Sequence, residues 1–310
     1  MEIKTFEQKI IEKLVLESIK EQRLARRWKI FFRIIWLIII GAILFLAFAG
    51  NSDIKSGKQV AVINLNGVIN QDNNTYDTVS RGLNSAMKNK DVVAVVIRAN
   101  SPGGSPVYSN MIYDEIKRLR AKYPKKPIDV VVEEVCASGC YYLAAAANNI
   151  YANPASIVGS IGVIYAGFGM TGLINKLGID NRLLVAGQNK AMGYPFVPVN
   201  LEQQKMQQIM LNEIHQQFIL AVKEGRGNRL STESSIFSGR YWIGQEAKNL
   251  GLIDGYQTVD SLARDVYKTD NVVDYTPNSD PMEKIAKKFG VELVDGAKQA
   301  VSNTEFASFR

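Results

Sequence analysis

Three β-branched runs, QVAVINL at 59–65, DVVAVVIRA at 91–99 and PIDVVV at 127–132, alternate with two segments of helical spacing, residues 78–90 and 107–122. Continuous apolar runs of this length suit strands buried on both faces. Helices between them make a β-α-β-α-β pattern, and so a parallel sheet with right-handed crossovers. Ligands of such sheets sit beyond the carboxyl ends of the strands. Chemistry is therefore expected in the loops after Ala99 and Val132.

The first loop reads Asn100-Ser101-Pro102-Gly103-Gly104. Its two glycines permit dihedrals that turn N–H groups toward a ligand, although a plain βα turn has the same residues. The second, Glu133-Glu134-Val135-Cys136-Ala137-Ser138-Gly139, sets Ser138 at the start of a helix running through Tyr141 and Tyr142 to Ala147. A serine there is either an N-cap or a nucleophile beside free amides that favour developing negative charge. Together the loops are similar to a strand-to-helix nucleophile elbow with its oxyanion hole.

A serine hydroxyl needs a base. His215, the one histidine, lies among polar neighbours in a long helix and reads as a surface residue. Lys190 follows an apolar strand expected at Leu183–Ala186 and has no acid near it in sequence. An exposed amine titrates near ~10.4, so a lysine base requires burial or cationic neighbours. Cys136 and Cys140 flank Ser138, but neither has a histidine partner to make it a thiolate. They are expected to be inert packing residues with free thiols, because a disulfide over four residues would distort the elbow.

Composition bounds the rest. A chain of 310 residues, 46% hydrophobic, can bury a full core. Of the +7 net charge, a surplus of four falls in residues 1–33, and no Lys/Arg stripe interleaved with aromatics follows, so no nucleic acid is expected. Two cysteines and one histidine supply neither a disulfide framework nor a protein-only metal site, and no metal or cofactor is expected. Residues 30–50, IFFRIIWLIIIGAILFLAFAG, are broken only by Arg33. At ~1.5 Å per residue they span ~31 Å, enough to cross a bilayer once. Lys20, Arg23, Arg26, Arg27 and Lys29 precede the run, whereas only Lys55 and Lys58 follow closely. The positive-inside rule then leaves the N-terminus in the cytoplasm and everything after Asn51 on the extracytoplasmic side of the inner membrane. The expected organisation is a basic cytoplasmic segment at 1–29, an uncleaved anchor at 30–50, a linker at 51–58, one catalytic domain at 59–275 and a tail at 276–310 with an amphipathic helix at 282–289.

The segments RANSPGGS, VCASGCYYLAAAANNIYANPASIVGSIGVI, GQNKAMGYPF and GRYWIGQEAKNLGLID, taken in order over residues 58–265, strongly resemble the signal peptide peptidase A family, the S49 serine peptidases. The resemblance implies a ClpP/crotonase-like α/β fold, a parallel sheet built from repeated β-β-α and β-α units. It implies a Ser-Lys dyad with Ser138 as nucleophile, Lys190 as general base and Ser160 orienting the lysine. Gly103 or Gly104, with the Gly139 amide, would form the oxyanion hole. It also implies peptide substrates such as signal-peptide remnants, and a homo-oligomeric ring of about eight subunits in which neighbouring protomers complete each dyad. Cys136 and Cys140 depart from the family pattern. A crotonase-type acyl-CoA enzyme and an inactive membrane scaffold are the competing readings.

Overall fold

The computed structural model describes residues 57–277, together with Lys20, Arg23 and residues 26–41. The chain divides into two units, residues 1–56 and 57–310. In the first, residues 26–41 are helical, and the rings of Trp28, Phe31 and Phe32 touch one another. Among the described residues no helix is long and apolar enough to cross a membrane. Residues 42–50 of the expected anchor lie outside the described residues, as do 51–56 of the linker and the helix expected at 282–289.

The second unit is a mixed α/β layer structure around a seven-stranded, mostly parallel sheet. Strands β1 (Gln59–Asn66), β2 (Val92–Ser101) and β3 (Ile128–Ala137) alternate with helices α1 (Thr75–Lys88) and α2 (Pro106–Lys122). Helix α3 (Gly139–Ala144), short strands β4 (Ile150–Ala152) and β5 (Ile157–Gly159), helix α4 (Thr171–Lys176) and the long α5 (Leu201–Arg226) follow. Strand β6 (Tyr241–Ile243), helices α6 (Gly244–Asn249) and α7 (Val259–Ser261) and strand β7 (Val272–Asp274) close the unit. The order across the sheet is β6-β5-β3-β2-β1-β7, with β4 also paired to β3 and, among the described residues, only β6 antiparallel to its neighbour. This architecture fits a ClpP-like α/β fold.

The two-residue period of a strand sends alternate side chains to opposite faces. In β1, Ala61, Ile63 and Leu65 enter the large core with Leu83 of α1 and Ile112 and Ile116 of α2, while Val60 and Val62 meet Val259 and Leu262 on the other side. Helix α2 starts on Ser105, whose hydroxyl accepts from the Tyr108 amide, with Pro106 in the first turn. Lysine and arginine occupy its last turn, where they favour the helix C-terminus.

Strand β3 runs five residues beyond the apolar stretch that announces it. Its first half pairs with β4 through Val130–Val132 and its second half with β5 through Val135–Ala137. Glu133 and Glu134 fall where the partner changes and are exposed, which is why two acids interrupt the run without ending the strand. Leu183–Ala186 also departs from the strand expected there. No strand forms there; the residues are exposed, Leu184 at 95%, on a long arm between β5 and α5 that offers them no sheet edge.

Helix α5 buries only its C-terminal part, with Phe218, Ala221, Val222 and Arg226 inside. Arg226, 1% exposed, grips Asp254 with both terminal nitrogens at 2.8 and 3.0 Å. Asp254 also accepts from the Ile150 amide at 2.8 Å and from Arg229 at 3.0 Å. Burial pushes its carboxyl up, but the Arg226 hydrogen bond and charge outweigh that and hold it below the ordinary aspartate value.

Candidate active site

Ser138 is placed by the turn from β3 into α3. Its backbone sits at φ 52°, ψ −123°, a conformation that costs a non-glycine residue on the order of 1–3 kcal/mol and needs its surroundings to hold it. Two hydrogen bonds do so: the Ser138 amide donates to the Gly159 carbonyl at 2.8 Å, and the Tyr142 amide donates to the Ser138 carbonyl at 3.0 Å. The first ties the elbow to the end of β5 and the second commits the chain to α3.

The glycine loop lies against this turn. Gly103, at φ 101°, is buried so closely that a β-carbon on it would stand 2.6 Å from the Ala137 carbonyl oxygen. Gly104, at φ 151°, packs its Cα face on the Ile69 backbone. Around it the Ile69 amide donates to the Gly103 carbonyl at 2.9 Å and the Ser105 amide to the Ile69 carbonyl at 2.8 Å. The amides of Gly104 and Gly139 themselves find no acceptor among the described residues. They are neighbours: a β-carbon on Gly139 would lie 3.2 Å from the Gly104 nitrogen and would collide with the Ser109 hydroxyl. Two adjacent free amides beside a serine can hold an oxyanion.

These groups open onto a cavity of about 700 Å³, lined by Ser138, Gly139, Gly104, Ser160 and Tyr142 and walled by Leu211, His215 and Phe218 of α5. Ser160 is a second serine at positive φ, 53°, fixed by its amide donating to the Arg240 carbonyl at 2.9 Å. Tyr142 stacks on Phe218 with ring centres 4.8 Å apart and donates its hydroxyl to Asn110 at 2.8 Å. A groove of about 770 Å³ beside Arg98, Glu133 and Tyr256 contains none of the expected site residues.

Thus Ser138, Ser160, Gly104 and Gly139 share one cavity, with Gly103 packed behind it. Lys190 does not line it. It is exposed in a turn of the arm, where Gln203 of α5 donates to the Gln188 carbonyl at 3.0 Å, and its amine makes no hydrogen bond or ion pair among the described residues. His215 is a surprise in the other direction, since it walls the cavity and donates from Nε2 to the Ile161 carbonyl at 3.0 Å. The spacing Leu211, His215, Phe218, Val222 puts it on one helical stripe, a signal its polar neighbours conceal.

The cysteines also differ from expectation. Cys136 and Cys140 form a disulfide, their Cα atoms 5.1 Å apart and both residues fully buried. The elbow is not distorted by it, because the strand-to-helix turn brings positions 136 and 140 within ordinary bridging range.

The model of peptidase family S49 matches residues 120–273, a stretch that contains Ser138, Ser160 and Lys190. A protease-named protein of Methanocaldococcus jannaschii is 32% identical over 253 residues, which is 77% of this chain and 80% of that one. The chain belongs to peptidase family S49. Among other relatives, Protease 4 of Salmonella typhi is 31% identical over 64% of this chain and 32% of its own length. The Na(+)/H(+) antiporter NhaA of Brucella melitensis is 44% identical over 185 residues, 60% of this chain. This chain covers only 25% of that antiporter, so three quarters of the protein bearing the name has no counterpart in the match. S49 membership leaves the acyl-CoA reading without support.

Proposed function

We propose that the chain is a membrane-anchored serine endopeptidase in which Ser138 is the nucleophile and Lys190 the general base, cleaving remnant signal peptides and other membrane-associated peptides. The observation that carries this reading is Ser138 held at a strained elbow, facing a cavity, beside the unpaired amides of Gly104 and Gly139.

The arm supplies the argument for a dyad between protomers. Ile164, Phe168, Leu177 and Leu184 are all exposed along it, Ile164 at 88%, and a run of exposed apolar side chains supports an interface. Packing the arm on a neighbouring copy in a closed ring buries these side chains and brings Lys190 to that neighbour's Ser138, with Ser160 orienting the amine. The amine takes the Ser138 proton as Oγ attacks the peptide carbonyl, and the two amides hold the oxyanion. The amine then protonates the leaving nitrogen, and water hydrolyses the ester.

The apolar run at 30–50 anchors the chain, with the peptidase unit on the extracytoplasmic side. The Cys136–Cys140 disulfide supports that placement, since disulfides persist in oxidising compartments. The test is hydrolysis of a fluorogenic peptide with small and apolar residues at the cleavage site. Ser138→Ala and Lys190→Ala are each expected to lose about a thousandfold or more in kcat, and an equimolar mixture of the two to regain activity. Hydrolysis surviving in Lys190→Ala overturns the dyad.

A further inference from the structure

Ser138 is the middle residue of a five-residue loop closed by the Cys136–Cys140 disulfide. We propose that this disulfide positions the nucleophile: it locks the left-handed turn that aims Ser138 Oγ at the cavity and keeps the Gly139 amide beside that of Gly104. The inference rests on Ser138 being the nucleophile.

Four observations carry it. The bridge joins the two elements that define the elbow, since Cys136 is in β3, paired with Ser101 of β2 and Val158 of β5, while Cys140 is in the first turn of α3. Both cysteines are fully buried in the large core, so the strut is anchored at each end in packed structure. The residue it spans holds an unfavourable φ, and the residue after it carries one of the free amides. Finally, the loop is short. Stabilisation by a cross-link grows with the logarithm of the loop it closes, so a bridge closing five residues adds less to the whole domain than one closing a long loop, and its particular effect is on local geometry.

Breaking the bridge forces the two sulfurs apart, since two thiols cannot stay at bonding distance, and frees Ser138 to relax toward ordinary dihedrals. A shift of about 1 Å at a catalytic group costs up to about a hundredfold in rate. The effect falls on kcat, because the walls of the cavity, Tyr142, Leu211 and Phe218, are not part of the loop.

The experiment uses the full chain in detergent. Denatured protein treated with N-ethylmaleimide should take up no adduct before reduction and two after it; two adducts without reduction overturn the inference. Next, kcat and KM are compared for the native protein, for the Cys136→Ala/Cys140→Ala double variant, and for native protein reduced by dithiothreitol. In that reduction the dithiol loses two electrons and two protons, becoming a cyclic disulfide, while each Sγ becomes a thiol. The expected result is a kcat loss of about tenfold or more with KM within about twofold, reversed on reoxidation in the reduced sample alone. Unchanged kcat in the reduced protein overturns the inference even where the double variant does not fold. Ser138→Ala, run alongside, separates the two failures: if it still hydrolyses peptide, the nucleophile assignment fails, whereas an inactive Ser138→Ala beside a fully active reduced protein sinks only the positioning role.

Discussion

Gly103 and Ser138 are in direct contact: a β-carbon on the glycine would stand 2.8 Å from the serine Cβ and 2.7 Å from the Gly139 nitrogen. No real β-carbon tolerates either distance, and the φ of 101° resists a side chain independently. Gly103→Ala therefore forces the elbow and the glycine loop apart. The expected outcome is a fall in kcat of about a hundredfold, the scale of one lost oxyanion donor, with the domain still folded by circular dichroism.

His215 is predicted to hold the cavity wall in register. Its Nε2–H is the partner of the Ile161 carbonyl, and Ile161 is fully buried. His215→Ala orphans that oxygen at a cost of about 1–3 kcal/mol and loosens the segment that follows Ser160. Thermal unfolding should show the lost stability, and peptide kinetics should show a raised KM.

Leu184 tests the arm. At 95% exposure it contributes nothing to the single chain's own core. Leu184→Asp should leave the unfolding midpoint of the isolated subunit unchanged while shifting light scattering toward smaller assemblies and reducing hydrolysis. A variant with normal assembly size and activity contradicts the proposed packing of the arm.

The sequence pattern announced β1 to β3 with α1 and α2, because strands buried on both faces and helices facing a core leave unambiguous periods in the chain. The elbow was legible because a serine followed by a glycine falls where a strand run gives way to a helix, beside a loop whose two glycines are free to take positive φ. What escaped depends on contacts far apart in sequence. Glu133 and Glu134 look like loop residues until β4 and β5 are seen to share β3. The pairing of Cys136 with Cys140 is set by how the elbow turns, which spacing alone does not reveal. Leu183–Ala186 carries a strand's composition but has no partner edge among the described residues.

Asp254 is predicted to control acid stability. Its carboxyl titrates below the ordinary aspartate value of 3.8 in the folded chain, so its pairing with Arg226 stabilises above that value and is lost as pH falls through the lower folded one. Acid unfolding should therefore steepen below about pH 4. Asp254→Asn removes this dependence and leaves Arg226, 1% exposed, without its counter-ion, a loss of about 3–5 kcal/mol measured by chemical denaturation at neutral pH.

Lys190 stands on the exposed arm, clear of the Ser138 cavity. On the proposed dyad, a single chain carries its nucleophile without its base, and so is its own zymogen. Local density of subunits becomes the trigger. Activity would then rise more steeply than protein concentration and vanish on dilution, confining proteolysis to places where the enzyme has already gathered.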